Sequence, residues 1–229
     1  MEKIQCSCQG CQLKDLFFGQ IPEEQISLIC EKKTERRYGR GERIINQDEE
    51  ITDFLYMKEG LVKLFRKLPD GKDQILSFSC PMDFVSLLSV FSSNKYKYSV
   101  SSVLDSTVCS IDMGFLKNHA LNNPKFVMNL MSKVSEATDK VIIENLELKR
   151  KQLRGRVAHV LLYFADRVYG MSEFELPVSR REVGEYIGMT TENVIRTLSE
   201  FRNHEIISIF GKNILIKDRK RLETISEFG

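Results

Sequence analysis

The chain has no tryptophan, and its 229 residues include only five prolines and six cysteines. So few cysteines, so unevenly spaced, exclude a disulfide scaffold. Long hydrophobic runs are missing too. A membrane helix needs about 20 mostly apolar residues, and charge interrupts every long apolar stretch here. Met1-Glu2-Lys3-Ile4-Gln5-Cys6 has no apolar run behind its lysine and does not read as a secretory signal. The cytosol, where thiols stay reduced, is the expected compartment. An excess of one charge is nearly absent as well. The 34 basic and 32 acidic residues leave a net +2, which by itself points to no polyanionic partner. No Gly-rich phosphate loop, nucleophile elbow or His-Glu metal motif occurs, so an enzyme is not expected.

What is present is ordinary for a globular protein: 42% apolar and 29% charged residues. That excludes a mostly disordered or collagen-like chain. The length suits one large or two small domains. The charge becomes informative once it is located. Residues 150–229 hold 14 basic and 11 acidic side chains, a net +3, whereas residues 1–149 are at −1. The C-terminal arginines are grouped: Arg150 with Arg154 and Arg156, Arg180 with Arg181, and Arg196 with Arg202. Local patches of this kind matter more for phosphate binding than the total.

Along the chain the pattern changes three times. Residues 12–35 read as helical, with Leu13, Leu16 and Phe17 at helical spacing and Pro22-Glu23-Glu24 able to open a second helix. From Tyr38 to Met113 short β-branched and aromatic runs alternate with turn signals. Examples are Ile44-Ile45, Phe54 to Met57, Leu61 to Phe65, Ile75 to Phe78, Tyr98 to Val103 and Thr107 to Ile111. Pro69-Asp70-Gly71 is a strong turn tripeptide. Many short strands at this spacing predict a sandwich, barrel or jelly roll.

Pro124 then opens a long helix to about Arg150, some ~39 Å in length. Its apolar stripe is Val127, Leu130, Val134, Ala137, Val141 and Leu148, in steps of mostly three and four. The stripe could pack on its own β domain. Because it is narrow and the other faces are charged, a parallel dimer helix is the favoured expectation. A strongly apolar helix from Gln152 to Tyr169 follows and ends at Gly170, a plausible C-cap.

Ser179-Arg180-Arg181-Glu182 is a Ser-x-x-Glu capping box and opens a short helix with Val183 and Ile187 facing inward. Gly188 supplies a tight turn, and Thr190 can cap the next helix, Thr191 to Asn203, with Val194, Leu198 and Phe201 inward. Two short helices joined in this way form a helix-turn-helix. Ile206 to Phe210, Gly211-Lys212-Asn213 and Ile214 to Ile216 form a hairpin, so the unit is winged. The second helix of such a motif lies in the major groove with its N-terminal residues at base edges. Here those residues are Thr191, Glu192, Asn193, Ile195 and Arg196, with Ser179, Arg180, Thr190 and the wing's Lys212 as further DNA-binding candidates. Arginine can bond guanine bidentately, and glutamate can accept from cytosine. In a purely structural hairpin, Glu192 and Arg196 would instead form a surface i,i+4 pair.

This order of elements resembles the CRP/FNR superfamily of bacterial transcription regulators over nearly the whole chain. The most specific stretch runs from Val178 through Ser179-Arg180-Arg181-Glu182 and Gly188-Met189-Thr190 to Thr191-Glu192-Asn193-Val194-Ile195-Arg196. It is similar to the family's recognition motif, whose base-reading Glu and Arg match Glu192 and Arg196. Tyr38-Gly39-Arg40-Gly41-Glu42 and Tyr56-Met57-Lys58-Glu59-Gly60-Leu61-Val62-Lys63 resemble its β-roll pattern. In the FNR-like branch a serine precedes the recognition arginine. Ile195 stands there instead and could meet a thymine methyl. The resemblance implies an α+β fold in three parts. These are an N-terminal cyclic-nucleotide-binding-like β-roll sensor (1–123), a dimerisation helix (124–150) and a winged helix-turn-helix (151–229). It also implies a homodimer on near-palindromic double-stranded DNA, with half-sites about 34–36 Å apart, an effector in the β-roll, and contacts to RNA polymerase. The competing reading is a ligand or redox sensing module that acts by protein contact without specific DNA binding.

For the signal, cyclic AMP is disfavoured. Family members that bind it carry Gly-Glu and Arg-Ser pairs, whereas Ser86-Leu87 and Tyr96-Lys97 stand near those positions. Lysine also lacks arginine's planar fork. An iron–sulfur cluster usually takes four thiolates. Cys6, Cys8 and Cys11 with the distant Cys109 form the candidate cofactor-binding set, Cys8, Cys11 and Cys109 matching ligands of the FNR branch. The remaining FNR ligand would fall near Phe17, so Cys6 would have to substitute for it. Cys109 could equally be a small core residue. Cys8-x-x-Cys11 could act as a thiol switch, and His119 is a candidate haem ligand. Cys30, Cys80, His159 and His204 read as structural or solvated, and zinc lacks a histidine near the cysteine group. An unknown ligand, or none, also remains open.

Overall fold

The computed structural model describes residues 4–5, 31–81, 83–85 and 87–229. The expected helical stretch 12–35 lies outside the described residues up to position 30, and its end is not helical, because Lys33, Thr34 and Glu35 pair with Ile111, Ser110 and Cys109 as a strand. Cys6, Cys8, Cys11, Cys30 and Ser86 also lie outside the described residues. Packing divides the chain into two units. The first comprises Met1–Arg66 and Phe78–Val141, the second Lys67–Ser77 and Ile142–Gly229.

The strands up to Asp112, in the first unit except for Lys67 and for β6 as far as Ser77, are β1 (Ile4–Gln5), β2 (Lys33–Tyr38), β3 (Arg43–Ile45), β4 (Asp53–Glu59), β5 (Val62–Lys67), β6 (Asp73–Ser79), β7 (Ser99–Ser102) and β8 (Ser106–Asp112). They form two four-stranded sheets, ordered β1-β2-β8-β4 and β3-β7-β5-β6. The chain passes back and forth between the sheets, which makes the expected β-roll. The central strand β8 pairs antiparallel with β2 from Lys33↔Ile111 to Tyr38↔Ser106, and with β4 from Asp53↔Asp112 to Glu59↔Thr107. Four successive residues of β4, Phe54 to Met57, are buried. A half-exposed strand would alternate. Here segment 83–85 runs along the edge of β4, Met57 donating its N–H to Asp83 O and Val85 to Leu55 O, and the Phe84 ring, 5.5 Å from that of Phe54, packs on a face that Leu116 and Phe126 also cover. The turn at Pro69-Asp70-Gly71 is closed by Leu68 N–H to Lys72 O at 2.8 Å. The backbone N–H of Lys72, with its ammonium, holds the Asp70 carboxyl below its ordinary range.

The core of this unit contains Phe54, Tyr56, Cys109, Ile111, Met113, Leu116, Phe126 and Leu130. A short helix α1 (Leu87–Val90) precedes β7, and α2 (Met113–Leu121) follows β8, capped by Asp112 accepting from Phe115 N–H at 2.7 Å. Then comes α3 (Pro124–Arg150), whose first turn is held by Asn123 accepting from Phe126 N–H. Lys140 Nζ and Asp83 Oδ2, 2.9 Å apart, fasten α3 to segment 83–85.

The stripe expected to face a partner helix is disposed differently. Leu130 is only 5% exposed and belongs to the core, and Val134 and Ala137 lean on the same cluster. The physical reason is the apolar floor left by β8 and α2, which α3 has to cover. Leu148 is also buried, while Val127 and Val141 are half-buried. The large apolar side chains that α3 leaves in water are Met128, Met131, Ile142, Ile143 and Leu146.

In the second unit α4 (Leu153–Tyr163) runs into a π-helical segment (Phe164–Tyr169) and stops at Gly170, as its left-handed backbone predicts. There follow β9 (Glu173–Glu175), α5 (Arg180–Ile187), α6 (Thr191–Asn203), the wing strands β10 (Ile207–Phe210) and β11 (Asn213–Ile216), and α7 (Arg219–Phe228). The sheet order is β10-β11-β9. Strand β9 and helix α7 were not anticipated from sequence. Val157, Leu161, Phe164, Val194, Leu198, Phe201, Ile214 and Leu222 fill the core.

Helix α7 packs on α4 at Gly155, where an added Cβ would collide with the Gly229 carbonyl and lie 3.0 Å from that of Ile225. Overpacking of this kind typically costs about 1–3 kcal/mol. Gly155→Ala should therefore lower the unfolding free energy of the second unit by that amount, seen as a lower urea midpoint. A midpoint unchanged from the parent would contradict the contact.

His159, also on α4, has its Nε2 buried without a hydrogen-bond partner. Burial, helped by Lys151 and opposed by Glu147, holds its pKa below the ordinary 6.5. The folded imidazole is thus neutral. As pH falls below about 6.5 the unfolded chain binds a proton that the fold refuses, so stability declines. His159→Gln should flatten that decline in urea titrations between about pH 7.5 and 5.5. Identical pH profiles for the two proteins would refute this assignment.

Candidate nucleic-acid interface

The helix-turn-helix is assembled from local signals that the structure realises in hydrogen bonds. Ser179 Oγ accepts the Glu182 N–H at 3.2 Å, and Glu182 Oε2 accepts the Ser179 N–H at 2.8 Å. This reciprocal pair is the capping box and fixes where α5 begins. Helix α5 ends at Gly188, whose φ of +68° a side chain would resist. Met189 N–H then donates to Gly184 O at 2.9 Å. A Cβ at Gly184 would stand 2.6 Å from Met189 O, so only glycine lets the turn close this tightly. Thr190 Oγ1 accepts the Asn193 N–H at 3.3 Å and starts α6.

Helix α6 is two-faced. Val194, Thr197, Leu198 and Phe201 are buried, while Glu192, Ile195, Arg196 and Arg202 are exposed and Thr191 and Asn193 are half-exposed. Ile195 is 50% exposed, far more than a core isoleucine would be. Arg196 Nη2 donates to Asn193 Oδ1 at 3.0 Å. Among the described residues no ion pair joins Arg196 to Glu192, so these two are not neutralising each other. The Glu192 carboxyl is held below its ordinary range by its own backbone N–H and by the Thr190 hydroxyl. It therefore remains an ionised acceptor at neutral pH, as base reading requires.

Around α6 lie the other expected contacts. Ser179 is exposed at the first cap, and Arg180 beside it is half-buried, its Nη2 3.4 Å from Gly211 O. Lys212 is exposed on the wing, with Glu175 at 4.0 Å. The structure thus brings Ser179, Arg180 and the wing turn together, and places Thr190 to Arg196 along one exposed helix end.

Sequence reading missed a residue beneath this surface. Arg156, in α4, donates Nε to Lys151 O at 2.9 Å, Nη1 to Ile187 O at 3.1 Å and Nη2 to Lys149 O at 3.4 Å. The C-terminal carbonyls of a helix lack intrahelical partners and carry partial negative charge. One guanidinium therefore joins the end of α3, the turn after it and the end of α5. Its position seven residues before Tyr163 in an apolar helix is the one clue, since a buried stripe seldom admits an arginine.

The candidate sensor residues are less concentrated. Cys109 is 1% exposed, among Phe54, Tyr56 and Ile111. Among the described residues no group of three metal-ligating side chains occurs. His119 Nε2 is buried without a hydrogen-bond partner, and its ring stacks on Phe115 at 6.2 Å and meets Phe126 edge-on at 5.1 Å. Tyr96, near the place of a family arginine, is buried and donates its hydroxyl to Asp53 O at 3.0 Å. Lys97 donates its backbone N–H to Ser89 Oγ. His204 closes α6 as its C-cap and is exposed.

Comparison with known proteins agrees with this geometry. Residues 155–225 match the Crp-like helix-turn-helix domain, and residues 35–122 match the cyclic nucleotide-binding domain. The transcriptional activatory protein AadR of Rhodopseudomonas palustris is 27% identical over 195 residues, covering 83% of this chain and 80% of that protein. The fumarate and nitrate reduction regulatory protein of Vibrio cholerae is 26% identical over 226 residues, 94% of this chain and 88% of its own. FixK2 from Bradyrhizobium japonicum superposes with a TM-score of 0.75 at 27% identity, covering 86% of this chain and 98% of that one. With a cyclic nucleotide-binding fold, a long helix and a Crp-like helix-turn-helix in that order, the chain belongs to the CRP/FNR superfamily of transcription regulators.

Proposed function

We propose that this regulator is a homodimer that reads a near-palindromic operator through α6 and is switched by a signal received at its N-terminal domain. The observation that carries the reading is the exposed end of α6. Glu192, Ile195 and Arg196 project from a helix whose opposite side is locked into the core. Arg196 and Glu192 are assigned to base edges, and Ile195 to an apolar contact such as a thymine methyl. Ser179, Arg180, Thr190, Thr191, Asn193 and Lys212 are assigned to phosphates and to positioning.

Dimerisation is supported by Met128, Met131, Ile142, Ile143 and Leu146, five large apolar side chains of α3 left in water. A second α3 laid alongside would cover them, and Val127 and Val141 border that face. Two α6 helices would then meet successive major grooves about 34–36 Å apart. RNA polymerase is the partner through which such a regulator would act, and the cytoplasm is its expected compartment.

For the signal, the thiols of Cys6, Cys8 and Cys11 are the chemistry on which a redox change would act. Cys109 is 1% exposed in an apolar cluster with Phe54, Tyr56 and Ile111, so a ligand role for it would require that cluster to open. Protein purified without air is accordingly expected to lack iron and to lack thiolate–iron absorption in the visible. Bound iron and sulfide, lost in Cys109→Ser, would return Cys109 to a ligand set.

The DNA-binding reading is tested by selecting duplexes from a random library and measuring affinity by gel shift. Arg196→Ala should weaken binding to the selected duplex by about 1–3 kcal/mol while leaving binding to unrelated DNA nearly unchanged. Equal losses on all sequences would assign Arg196 to the backbone rather than to a base.

A further inference from the structure

We propose that Phe210, at the tip of the wing, contacts DNA by packing its ring on the deoxyribose wall beside each half-site. It would add an apolar contact to an otherwise ionic wing. The inference rests on the DNA-binding reading of the helix-turn-helix given above.

Phe210 is 76% exposed, whereas Ile207, Ile214 and Ile216 of the same hairpin are buried. It pairs in register with Asn213 across the turn, immediately before Gly211. A single exposed apolar residue is common and needs no explanation by itself. This one is distinguished by its neighbours. Lys212 is exposed two residues on, with Glu175 the carboxylate at 4.0 Å from it. Arg180 Nη2 lies 3.4 Å from the Gly211 carbonyl and so ties the wing tip to the first turn of α5. The wing turn that follows Phe210 therefore lies against Arg180, the first residue of α5, the helix that crosses the duplex backbone in a helix-turn-helix complex. An exposed ring in a turn that carries Lys212 and is tied to Arg180 matches a nucleic-acid strand, in which apolar sugars separate anionic phosphates. Apolar contacts and phosphate contacts differ in one measurable respect. Only the latter release counterions and steepen the dependence on salt.

The test uses the full-length protein and the duplex it selects from a random library, with affinities measured over a range of salt concentrations. Phe210→Ala should weaken binding about tenfold, the scale of one packed aromatic ring. The loss should be equal on selected and unrelated duplexes, with the salt slope unchanged. Phe210→Leu should recover most of the affinity. Lys212→Ala should instead reduce the slope by about one. Melting temperatures equal to that of the parent would show that the substitutions act on binding. Unchanged affinity in Phe210→Ala would overturn the proposal, as it would if the ring serves an acidic protein surface instead. A loss accompanied by a flatter salt slope would overturn it too, because the ring would then merely position a cation. Absence of DNA binding by the unsubstituted protein would overturn the parent reading and this one together.

Discussion

The close approach of two backbones between α5 and α6 governs the function of the second unit. Met189 N–H reaches Gly184 O at 2.9 Å, in a space that any side chain at Gly184 would occupy. A wider turn would change the angle between the helices, and Val194, Leu198 and Phe201 could not all enter the core together. The exposed set Glu192, Ile195 and Arg196 is thus defined by subtraction. It is whatever α6 has left once the turn has dictated which side goes in. Capping at Ser179 and Thr190 fixes the register of both helices, so the projecting residues are set in rotation as well as in tilt.

The charge of this unit is less available than its sequence total implies. Arg181 is engaged by Glu185 at 2.8 Å, Arg154 by Glu200 at 3.3 Å, and Arg219 by Asp166 and Glu223, each at 2.8 Å. Arg156 is directed at carbonyls. These pairs are largely exposed, so each adds little to stability. Their effect is to withdraw cations from the surface at large and leave Arg196 and Arg202 comparatively prominent on α6.

Much of this was legible in the sequence because the signals were local. The capping box at Ser179, the stop at Gly170 and the turn at Pro69-Asp70-Gly71 each depend on residues within four positions of one another. The β-roll strands were legible from their spacing. What was not legible depended on partners far along the chain. The period of α3 announces an apolar stripe but not what covers it, and β8 with α2 claimed Leu130, Val134 and Ala137. Strand β9 is three residues long and exists because β11 offers an edge. Helix α7 has its own signals in Asp218, which caps Arg221, and in Leu222, but its polar surroundings obscured them. Arg156 is marked in the sequence only as a cation in an apolar helix, and its bond to Ile187 O, 31 positions away, has no local signature.

That arginine has a mechanical meaning. A guanidinium is flat and stiff, and its donors keep fixed angles to one another. The carbonyls of Lys149, Lys151 and Ile187 are consequently bonded to one planar group. A lysine could serve one of these oxygens at a time, but it would behave as a swivel. Arg156 instead ties the last turn of α3, the turn after it and the end of α5 to one rigid group.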